Sequence, residues 1–568
     1  MARWIRSHPD AALAERLSCQ LQIPKFLAAV LLQRGITDEE QGQRFLRPSL
    51  THLHDPYRMR GMREAVERLR RACAGQEKIL IYGDYDADGT TAVVLFRKAI
   101  ELAGGAADFH IPHRLKDGYG MREEVIEEAA RRGVKVLVSV DTGIRAAPVV
   151  ERANQLGIDS IITDHHLPDG AAPPALAVLN PNQHGCGYPE KNLSGVGVAF
   201  KLAQALLGSL DWPSSRLENV LDSMLRIVAI GTVADVVPLV GENRTMVKFG
   251  LQGLSRPSNE GLKALLASAG FERGQTPTAG GVAFRVAPRL NAAGRMDTAV
   301  DVIELLTTAE PQRACEIAAR LNEINAARQK AEAGILDRIL EVLPKGPPPD
   351  SVCLVEAGEG WHRGVIGIVA SRLVDRFHRP ALVISVDREE GVAYGSGRSI
   401  RQFHLLESLE SMAGLFLRFG GHRQAAGFSL RADRLEELRR RFDQYARDRL
   451  TADDFVPEIA VAADLPFAEI SEEKMRALEL LEPYGFGNPA PVFAASGLKL
   501  SREPRVLKEK HLRLTLRQQG RTVTAIGWNM ADRAAGLAAG APLEAAFTVE
   551  RDDFAGGWRL VLKDVVAC

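Results

Sequence analysis

The clearest pattern in this chain is a short apolar run that gives way at once to acidic residues. Ile79 to Tyr82 are apolar, aspartates then occupy alternate positions, and Gly89 precedes a helical stretch from Thr90 to Ile100. A buried strand of a parallel sheet has this pattern, because both of its faces are covered and its polar residues come at the carboxyl end. We therefore predict a strand, an acidic turn and a helix.

The same alternation continues further along the chain. Predicted strands at Asp108 to Pro112, Val134 to Val140 and Asp159 to Thr163 are separated by helical segments, one of them Arg122 to Arg132. Such alternation predicts a parallel sheet with right-handed crossovers, so the carboxyl ends of its strands lie along one edge. The acidic and histidine residues at these ends are Asp84, Asp86, Asp88, Asp141, Asp164, His165 and His166.

A further acid, Asp235, follows the long apolar segment Met224 to Thr232. A carboxylate in such surroundings is costly unless it is paired, protonated or bound to a metal. Dense oxygen ligands suit Mg²⁺ or Mn²⁺. An Asp-rich turn that merely caps a helix remains an alternative for residues 84–89 taken alone. The residues that we interpret as ligands of two such ions are Asp84, Asp86, Asp88, Asp141, His165 and Asp235.

The position of each group along the predicted edge suggests its role. Two ions about 3.5 to 4 Å apart need a bridging carboxylate. We assign the bridge to Asp141, on the central strand, and expect His165 to bind metal through one ring nitrogen. We expect His166 to donate to a phosphate oxygen. Asp164 would orient backbone or imidazole, because metal-bound histidines usually need such support.

A second α/β unit follows the Pro-rich segment 344–350. Its strand patterns are accompanied by two Gly-rich stretches, which we interpret as turns. Such turns let backbone amides and guanidinium groups approach a phosphate. Each stretch alone is more typical of a tight turn than of a ligand site, but two of them in one domain favour phosphate binding. The candidate phosphate-binding residues in these stretches are Arg398, Ser399, Gly420, Gly421 and His422.

From Pro457 onward short strand patterns dominate, with a helix near Glu472 to Leu481, and they predict a small barrel of the OB type. Eight basic residues against two glutamates lie between 499 and 521, among them Lys508, Lys510 and Arg513. With the aromatic residues Phe486, Trp528 and Trp558, this excess suits a groove for single-stranded nucleic acid. A barrel with a basic face and core aromatics is the alternative.

Length and composition indicate the number of domains and the class of protein. The chain has 568 residues, too many for one core, and 72 basic against 72 acidic residues. Six scattered cysteines without a CxxC pair argue against a disulfide framework and favour the cytoplasm, and no apolar run is long enough to cross a membrane. We predict a multidomain α/β protein with a helical segment at 1–50, a parallel-sheet domain at 51–305, a helical connector and linker at 306–350, a smaller α/β domain at 351–453 and the barrel at 454–568.

Several of these motifs together resemble a known family. GDYDADG, VDTG, DHH and the later Asp235 look like the four signature blocks of the DHH phosphoesterase superfamily, and GGHRQAAGF resembles its DHHA1 domain. Together with PRLNAAGR, WHRGVIGIVASRL and the terminal barrel, their order is similar to that of the RecJ single-strand-specific DNA exonucleases. The resemblance implies Mg²⁺- or Mn²⁺-dependent cleavage of single-stranded DNA from the 5′ end to 5′-mononucleotides. It also implies a role in recombination and repair beside a helicase and a single-strand binding protein, and we expect a monomer.

The resemblance also assigns residues. The family's metal ligands fall on Asp86, Asp88, Asp141, His165 and Asp235, with Asp84 as a ligand or near-ligand, while Tyr82 stands where smaller relatives have a histidine. The residues that we expect near the DNA phosphates are Arg114, Tyr119, Arg289, Asn291, Arg295, Arg398, Ser399 and His422.

Two other functions are compatible with parts of the pattern. A small-substrate phosphodiesterase or pyrophosphatase would use the same acidic cluster, but it would leave the basic barrel without a role. A DNA-binding scaffold that has lost its catalytic ligands is the non-enzyme alternative, and the intact acidic blocks argue against it.

Overall fold

The computed structural model describes residues 2–114, 116–118, 120–343, 346, 350–552 and 556–567. These residues form two compact units. The larger unit contains Leu53–Phe455 together with Gly485–Gly487. The smaller unit contains the residues before Leu53, Val456–Tyr484 and the residues after Gly487.

The strands are numbered in chain order. They are β1 (Arg3–Arg6), β2 (Lys78–Gly83), β3 (Ala107–His110), β4 (Val134–Val140), β5 (Asp159–Thr163), β6 (Ala177–Leu179), β7 (Leu354–Glu359), β8 (Ala381–Asp387), β9 (Val392–Arg398), β10 (Phe416–Gly421), β11 (Ala425–Arg431), β12 (Glu458–Val461), β13 (Ala463–Asp464), β14 (Phe493–Leu500), β15 (Arg505–Leu507), β16 (His511–Gln518), β17 (Arg521–Gly527), β18 (Pro542–Arg551) and β19 (Trp558–Ala567).

The α-helices are numbered in the same way. They are α1 (Ala11–Leu21), α2 (Lys25–Gln33), α3 (Glu39–Leu46), α4 (Met62–Ala74), α5 (Ala87–Leu102), α6 (Glu123–Arg131), α7 (Ala147–Gln155), α8 (Gly195–Gly208), α9 (Ser214–Ala234), α10 (Gly241–Leu254), α11 (Glu260–Ser268), α12 (Ala279–Gly281), α13 (Ala287–Met296), α14 (Val300–Thr307), α15 (Pro311–Val342), α16 (Ile366–Phe377), α17 (Leu405–Glu410), α18 (Leu435–Arg447) and α19 (Glu472–Arg476).

The first sheet of the larger unit is parallel throughout, with the strand order β3-β2-β4-β5-β6. Its apolar strands are buried because helices cover both faces, with α5 and α8 on one side and α6 and α7 on the other. The prediction of a parallel sheet is confirmed, and β4 is the central strand as expected. The carboxyl ends of β2, β4 and β5 therefore lie side by side.

The second sheet of the larger unit is mixed, with the order β10-β11-β9-β8-β7. Most residues of the two Gly-rich stretches lie in strands β9, β10 and β11, and the predicted turn is found only at 422–424, between β10 and β11. Gly395 is needed there for packing: a Cβ atom on it would lie 2.1 Å from the Phe428 ring. The connector before this sheet is one continuous helix, α15, and most of the Pro-rich linker at 344–350 lies outside the described residues.

In the smaller unit, β14, β18, β19, β17 and β16 pair in that order, and a further pairing of β14 with β16 closes them into a five-stranded barrel. The predicted OB-type barrel is confirmed. Residues 1–50, which we expected to form a separate segment, share its unit. Strand β1 pairs in parallel with β12, and the ring of Phe26 in α2 packs edge-on against Phe493 at 5.7 Å.

Candidate active site

The acidic turn after β2 caps α5 and also faces the edge of the sheet. The Oδ1 atom of Asp86 accepts hydrogen bonds from the backbone amides of Asp88 and Gly89, at 2.9 and 3.0 Å. The Oδ1 atom of Asn291 accepts one from the amide of Ala87 at 2.8 Å. The helix-capping interpretation is therefore correct for Asp86, and Asn291 positions this turn from α13.

Asp88 is buried and is held from the opposite side by the first residues of α8. Its two carboxylate oxygens accept hydrogen bonds from the backbone amides of Gly195 and Val196, at 2.6 and 2.9 Å. A helix N-terminus favours negative charge in this position. Burial nevertheless dominates, and together with the charge of Asp86 it raises the pKa of the Asp88 carboxyl to about 7.

Three polar atoms from distant parts of the chain converge at the centre of the site. The Nε2 atom of His165 lies 3.2 Å from Oδ1 of Asp141 and 3.6 Å from Oδ2 of Asp235. All three atoms are buried and have no hydrogen-bond partner among the described residues. Burial, followed by the charge of His166, lowers the pKa of His165 to about 4, so its ring is neutral at physiological pH.

This arrangement needs a cation. A neutral imidazole nitrogen and two carboxylate oxygens present only lone pairs to one another, and buried groups of this kind are normally paired or coordinate a metal. Burial and the charges of neighbouring aspartates raise the pKa values of Asp141 and Asp235 well above the ordinary range. Nitrogen and oxygen ligands of this type fit Mn²⁺ and Mg²⁺.

The described residues contain three groups of possible ligands, each with its ligand atoms within 4.8 Å of one another. Asp141 belongs to two of these groups, which is what a carboxylate that links two ions requires. The structure thus brings all six predicted ligands together at one edge. The groups are Asp84, Asp86 and Asp141; Asp88, His165 and Asp235; and Asp141, His165 and His166.

Asp164 organises the two histidines. Its Oδ1 atom accepts hydrogen bonds from the backbone amides of His165 and His166 and lies 2.7 Å from Nδ1 of His166, while its Oδ2 atom accepts one from the Ile144 amide. Burial would raise the pKa of Asp164, but the hydrogen bond and the charge of His166 outweigh burial and lower it. This geometry agrees with the orienting role that we predicted.

A cluster of three arginines lies beside the acidic site. Burial, then the charges of Arg114 and Arg398, lower the pKa of Arg295 to about 10, and burial and Arg114 likewise lower that of Arg398. The Arg114 guanidinium lies 4.9 Å from the centre of the Tyr85 ring. None of the three forms a salt bridge among the described residues. Guanidinium groups that lie near one another without forming an ion pair with a carboxylate indicate an anion site.

The other predicted phosphate contacts divide into two kinds. His422 lies near His166 of the site. Burial and the charges of Arg145 and His166 lower the pKa of His422. Arg289 instead donates to the Ser268 carbonyl at 3.0 Å and to the Arg285 carbonyl, so its terminal nitrogens hold the end of α11. The Ser399 hydroxyl donates to the Phe403 carbonyl. Tyr119 lies outside the described residues.

Several residues of the site were not identified from the sequence. The amides of Gly195 and Val196 hold Asp88, and the side-chain amides of Asn180 and Asn182 donate to the carbonyls of His166 and His165, at 2.9 and 2.8 Å. The GVG sequence after Ser194, an N-cap residue followed by glycines, is the one signal that could have indicated an anion-binding helix start.

The titration of the cluster predicts how metal affects stability. The pKa of Asp88 is about 7, above its ordinary value, and those of Asp141 and Asp235 are shifted in the same direction. Groups with raised folded-state pKa values stabilise the fold fully at low pH, and this contribution is lost as the pH rises through those values. A bound cation offsets the loss.

We therefore expect Mn²⁺ to raise the Tm more at pH 8 than at pH 6. Thermal unfolding with and without Mn²⁺ at both pH values measures this difference. In the Asp141→Asn variant, the increase at pH 8 should be smaller. An equal increase at both pH values in the unsubstituted protein would contradict the explanation.

Comparisons with known proteins agree with this architecture. A profile of the DHH family, N-terminal domain, matches residues 78–232, a DHHA1 domain profile matches residues 350–448, and a RecJ OB domain profile matches residues 461–564. None of the described helices is both long and apolar enough to cross a bilayer.

The relatives are similar over most of their length. The single-stranded-DNA-specific exonuclease RecJ of Bacillus subtilis is 39% identical over 539 residues, which cover 95% of this chain and 67% of the relative. That of Escherichia coli is 35% identical, with 88% of each chain covered. The crystal structure of Thermus thermophilus RecJ in complex with Mn²⁺ matches with a TM-score of 0.85 at 31% identity, covering 100% of this chain and 80% of that one. The chain therefore belongs to the RecJ family of single-stranded-DNA-specific exonucleases.

Proposed function

We propose that this chain hydrolyses single-stranded DNA from the 5′ end to 5′-mononucleotides, with two Mn²⁺ or Mg²⁺ ions, in recombination and repair. The convergence of buried, unpartnered atoms of Asp141, His165 and Asp235 carries this proposal. Membership of the RecJ family supports the substrate class.

The residues of the site would have different roles in the reaction. Bound divalent ions would supply a hydroxide nucleophile at neutral pH and stabilise the charge that develops on the phosphate. Asp84, Asp86, Asp88, Asp141, His165 and Asp235 would hold these ions, with Asp141 shared between them. Asp164 fixes the ring of His166 through Nδ1, so that Nε2 can donate to a phosphate oxygen.

The arginine cluster would bind the terminal phosphate and so define the polarity of cleavage. Arg398 lies in the central strand β9, where its guanidinium donates to the Ser396 hydroxyl at 3.2 Å and to the Gly397 carbonyl at 2.8 Å. These contacts fix its orientation. Because Arg114 and Arg295 come from the first sheet's side of the same unit, a phosphate between the three would be gripped from both domains.

Replacement of Arg398 by alanine tests this assignment. We expect a preference for 5′-phosphorylated over 5′-hydroxyl oligonucleotides in the unsubstituted protein, and we expect the variant to lose it through about a tenfold rise in KM, since a charge-assisted contact contributes roughly 1.5–3 kcal/mol. Steady-state kinetics on both substrates provide the measurement. Arg388→Ala, at an exposed arginine in the turn between β8 and β9 that pairs with Glu359, is the control and should keep the preference.

The basic face of the barrel suits the incoming strand. Arg505 pairs across the sheet with Arg513, and Lys499 pairs with Arg517, so like charges lie opposite one another. The side chains of these residues and of Lys508 and Lys510 are exposed and form no hydrogen bond or salt bridge within the described ranges. Unpaired like charges are unfavourable in a sheet unless a polyanion covers them, so we assign this face to the DNA backbone.

Removing two of these charges should change the salt dependence of binding. We expect Arg505→Ala combined with Arg513→Ala to weaken binding of a long single strand and to reduce the slope of log K against log salt by about two, one for each lost phosphate contact. Fluorescence anisotropy between 50 and 300 mM salt, as chosen conditions, gives the slope. Arg431→Ala, which removes an exposed arginine that pairs with Asp433, should leave it unchanged.

A nuclease assay separates this function from its alternatives. The protein should shorten a 5′-labelled single strand with Mn²⁺ or Mg²⁺, release labelled mononucleotide first, and leave duplex intact. A small-substrate phosphodiesterase would cleave dinucleotides but not long strands, and a scaffold would bind without cleaving. Stable label on the long strand in the presence of Mn²⁺ would refute the proposal.

The remaining assignments are also proposals. Five described cysteines are unpaired, which supports a cytoplasmic location. The matched profile ranges support the domain division at 51–305, 351–453 and 454–568. A helicase and a single-strand binding protein as partners, and a monomeric state, rest on the family resemblance.

A further inference from the structure

A three-residue segment from late in the sequence lies next to the loop that carries Asp235. Gly485–Gly487 belong to the larger unit, and the carbonyl of Phe486 accepts a hydrogen bond from the Leu239 amide at 2.7 Å. Leu239 follows Asp235 by four residues, a span of at most about 14 Å in extended chain. The sequence predicts Phe486 in the groove of the barrel, whereas its segment belongs to the larger unit and contacts the loop that follows Asp235.

The two glycines make this close approach possible. A Cβ atom on Gly485 would lie 2.6 Å from Cδ1 of Leu239, and one on Gly487 would lie 2.8 Å from Cβ of Pro238. Gly487 also has a φ of 71°, in the left-handed region that glycine adopts readily. The backbone of Phe486 is therefore fixed on the Pro238–Leu239 segment.

The Phe486 side chain is exposed although its backbone is fixed. It is 61% exposed, and Val236, directly after Asp235, is 62% exposed. Val236 has a φ of 60°, a conformation that is a true outlier for a β-branched residue and that occurs mainly at functional sites. Phe486 and Val236 thus expose large apolar side chains on two segments that the Leu239–Phe486 hydrogen bond joins, and Val236 directly follows a predicted metal ligand.

We propose that Phe486 is a stacking platform for an unpaired nucleobase close to the scissile phosphate, with Val236 contacting the same nucleotide. The proposal rests on the proposed function and specifies how its substrate is held. Every base has a π-face, so a ring in this position accepts any sequence. Paired bases hide their faces inside the duplex, so the same contact favours single strands.

The groups around the active site indicate what the exposed Phe486 ring binds. The arginine cluster and the acidic centre bind phosphate and cations, and they leave the apolar part of a nucleotide without a partner. An exposed aromatic ring on an anchored backbone provides that partner at low entropic cost, because only two side-chain torsions need to be fixed.

Substitution at Phe486 combined with abasic substrates tests the proposal. We expect Phe486→Ala to raise KM about tenfold with a smaller change in kcat, and Phe486→Trp to restore the unsubstituted value, as stacking is worth about 5- to 150-fold per base. An oligonucleotide with one abasic position, moved stepwise through the four nucleotides at the 5′ end, should bind the unsubstituted protein poorly at one position. That position should have no further effect in Phe486→Ala.

The controls separate stacking from a structural role. Tyr57→Ala removes another exposed aromatic ring of the larger unit and should change neither KM nor the abasic profile. An equal abasic penalty in Phe486→Ala and in the unsubstituted protein, or failure of Phe486→Trp to restore KM, would overturn the inference. If the unsubstituted protein did not degrade single strands at all, that result would contradict the proposed function itself, before any conclusion about Phe486.

Discussion

Asp141→Asn is expected to abolish hydrolysis of single-stranded DNA while strand binding persists. Asp141 is 2% exposed, lies within 3.2 Å of the His165 imidazole and belongs to two of the three possible ligand groups. Its loss would therefore affect both ions. Because losing even an outer-shell partner of a metal costs about 10- to 100-fold, we expect a decrease in kcat of more than about 100-fold.

Isothermal titration with Mn²⁺ and anisotropy with a labelled strand accompany the rate measurement. We expect the stoichiometry of Mn²⁺ binding to fall and the strand affinity to remain within about threefold, since the substitution leaves the arginines and the barrel untouched. Asp169→Asn, at an exposed aspartate shortly after the two histidines, is the control and should retain full activity. Normal turnover in Asp141→Asn would refute the assignment of the bridge.

Gly195→Ala is expected to have an effect nearly as large without removing any ligand. A Cβ atom on Gly195 would lie 2.4 Å from Oδ1 of Asp141 and 2.5 Å from its Cβ, and all of these atoms are buried. To relieve this overlap, either Asp141 or the first residues of α8 must move. The backbone amides of those first residues donate to Asp88. We expect Mn²⁺ affinity and kcat to fall together by about 10- to 100-fold.

Gly197→Ala, two residues further along the same helix, provides a matched control. Its Cβ atom would meet Ser194 Oγ at 3.2 Å and Leu193 at 3.5 Å, contacts that a small shift accommodates. Alanine is also the better helix former by about 1 kcal/mol. Circular dichroism should show both variants folded. Equal Mn²⁺ affinity in the two variants would show that the close packing against Asp141 is not required.

The sequence predicted the edge of the parallel sheet well, and for a physical reason. Val134–Val140 and Asp159–Thr163 have the predicted bounds, because continuous apolar runs with acidic ends leave little freedom in a buried parallel strand. Once these strands lie side by side, Asp141 and His165 must be neighbours. The convergence of the strand-end residues could therefore be predicted from order and pattern, whereas Asp235 follows a helix and its position could not be derived from the strand order.

Contacts made by the backbone, or between distant segments, could not be predicted in this way. Gly195 acts through its backbone amide, and no side chain in the sequence indicates this. The glycines of β9 cannot be distinguished from glycines of a turn by composition. Arg289 is predicted to contact DNA, and no sequence pattern indicates that its guanidinium also donates to the Ser268 carbonyl at the end of α11. The position of Phe486 depends on a single hydrogen bond to Leu239, far away in sequence.

The pairing of β1 with β12 also has a consequence during synthesis. The helices near the amino terminus complete their apolar core only with residues such as Phe493 and Phe547, which are synthesised more than 400 residues later. At about 5–20 residues per second, roughly 25 to 100 s pass between the synthesis of the two segments. During that interval the apolar face of the amino-terminal helices has no packing partner from the barrel, so this core forms only after the barrel strands have been synthesised.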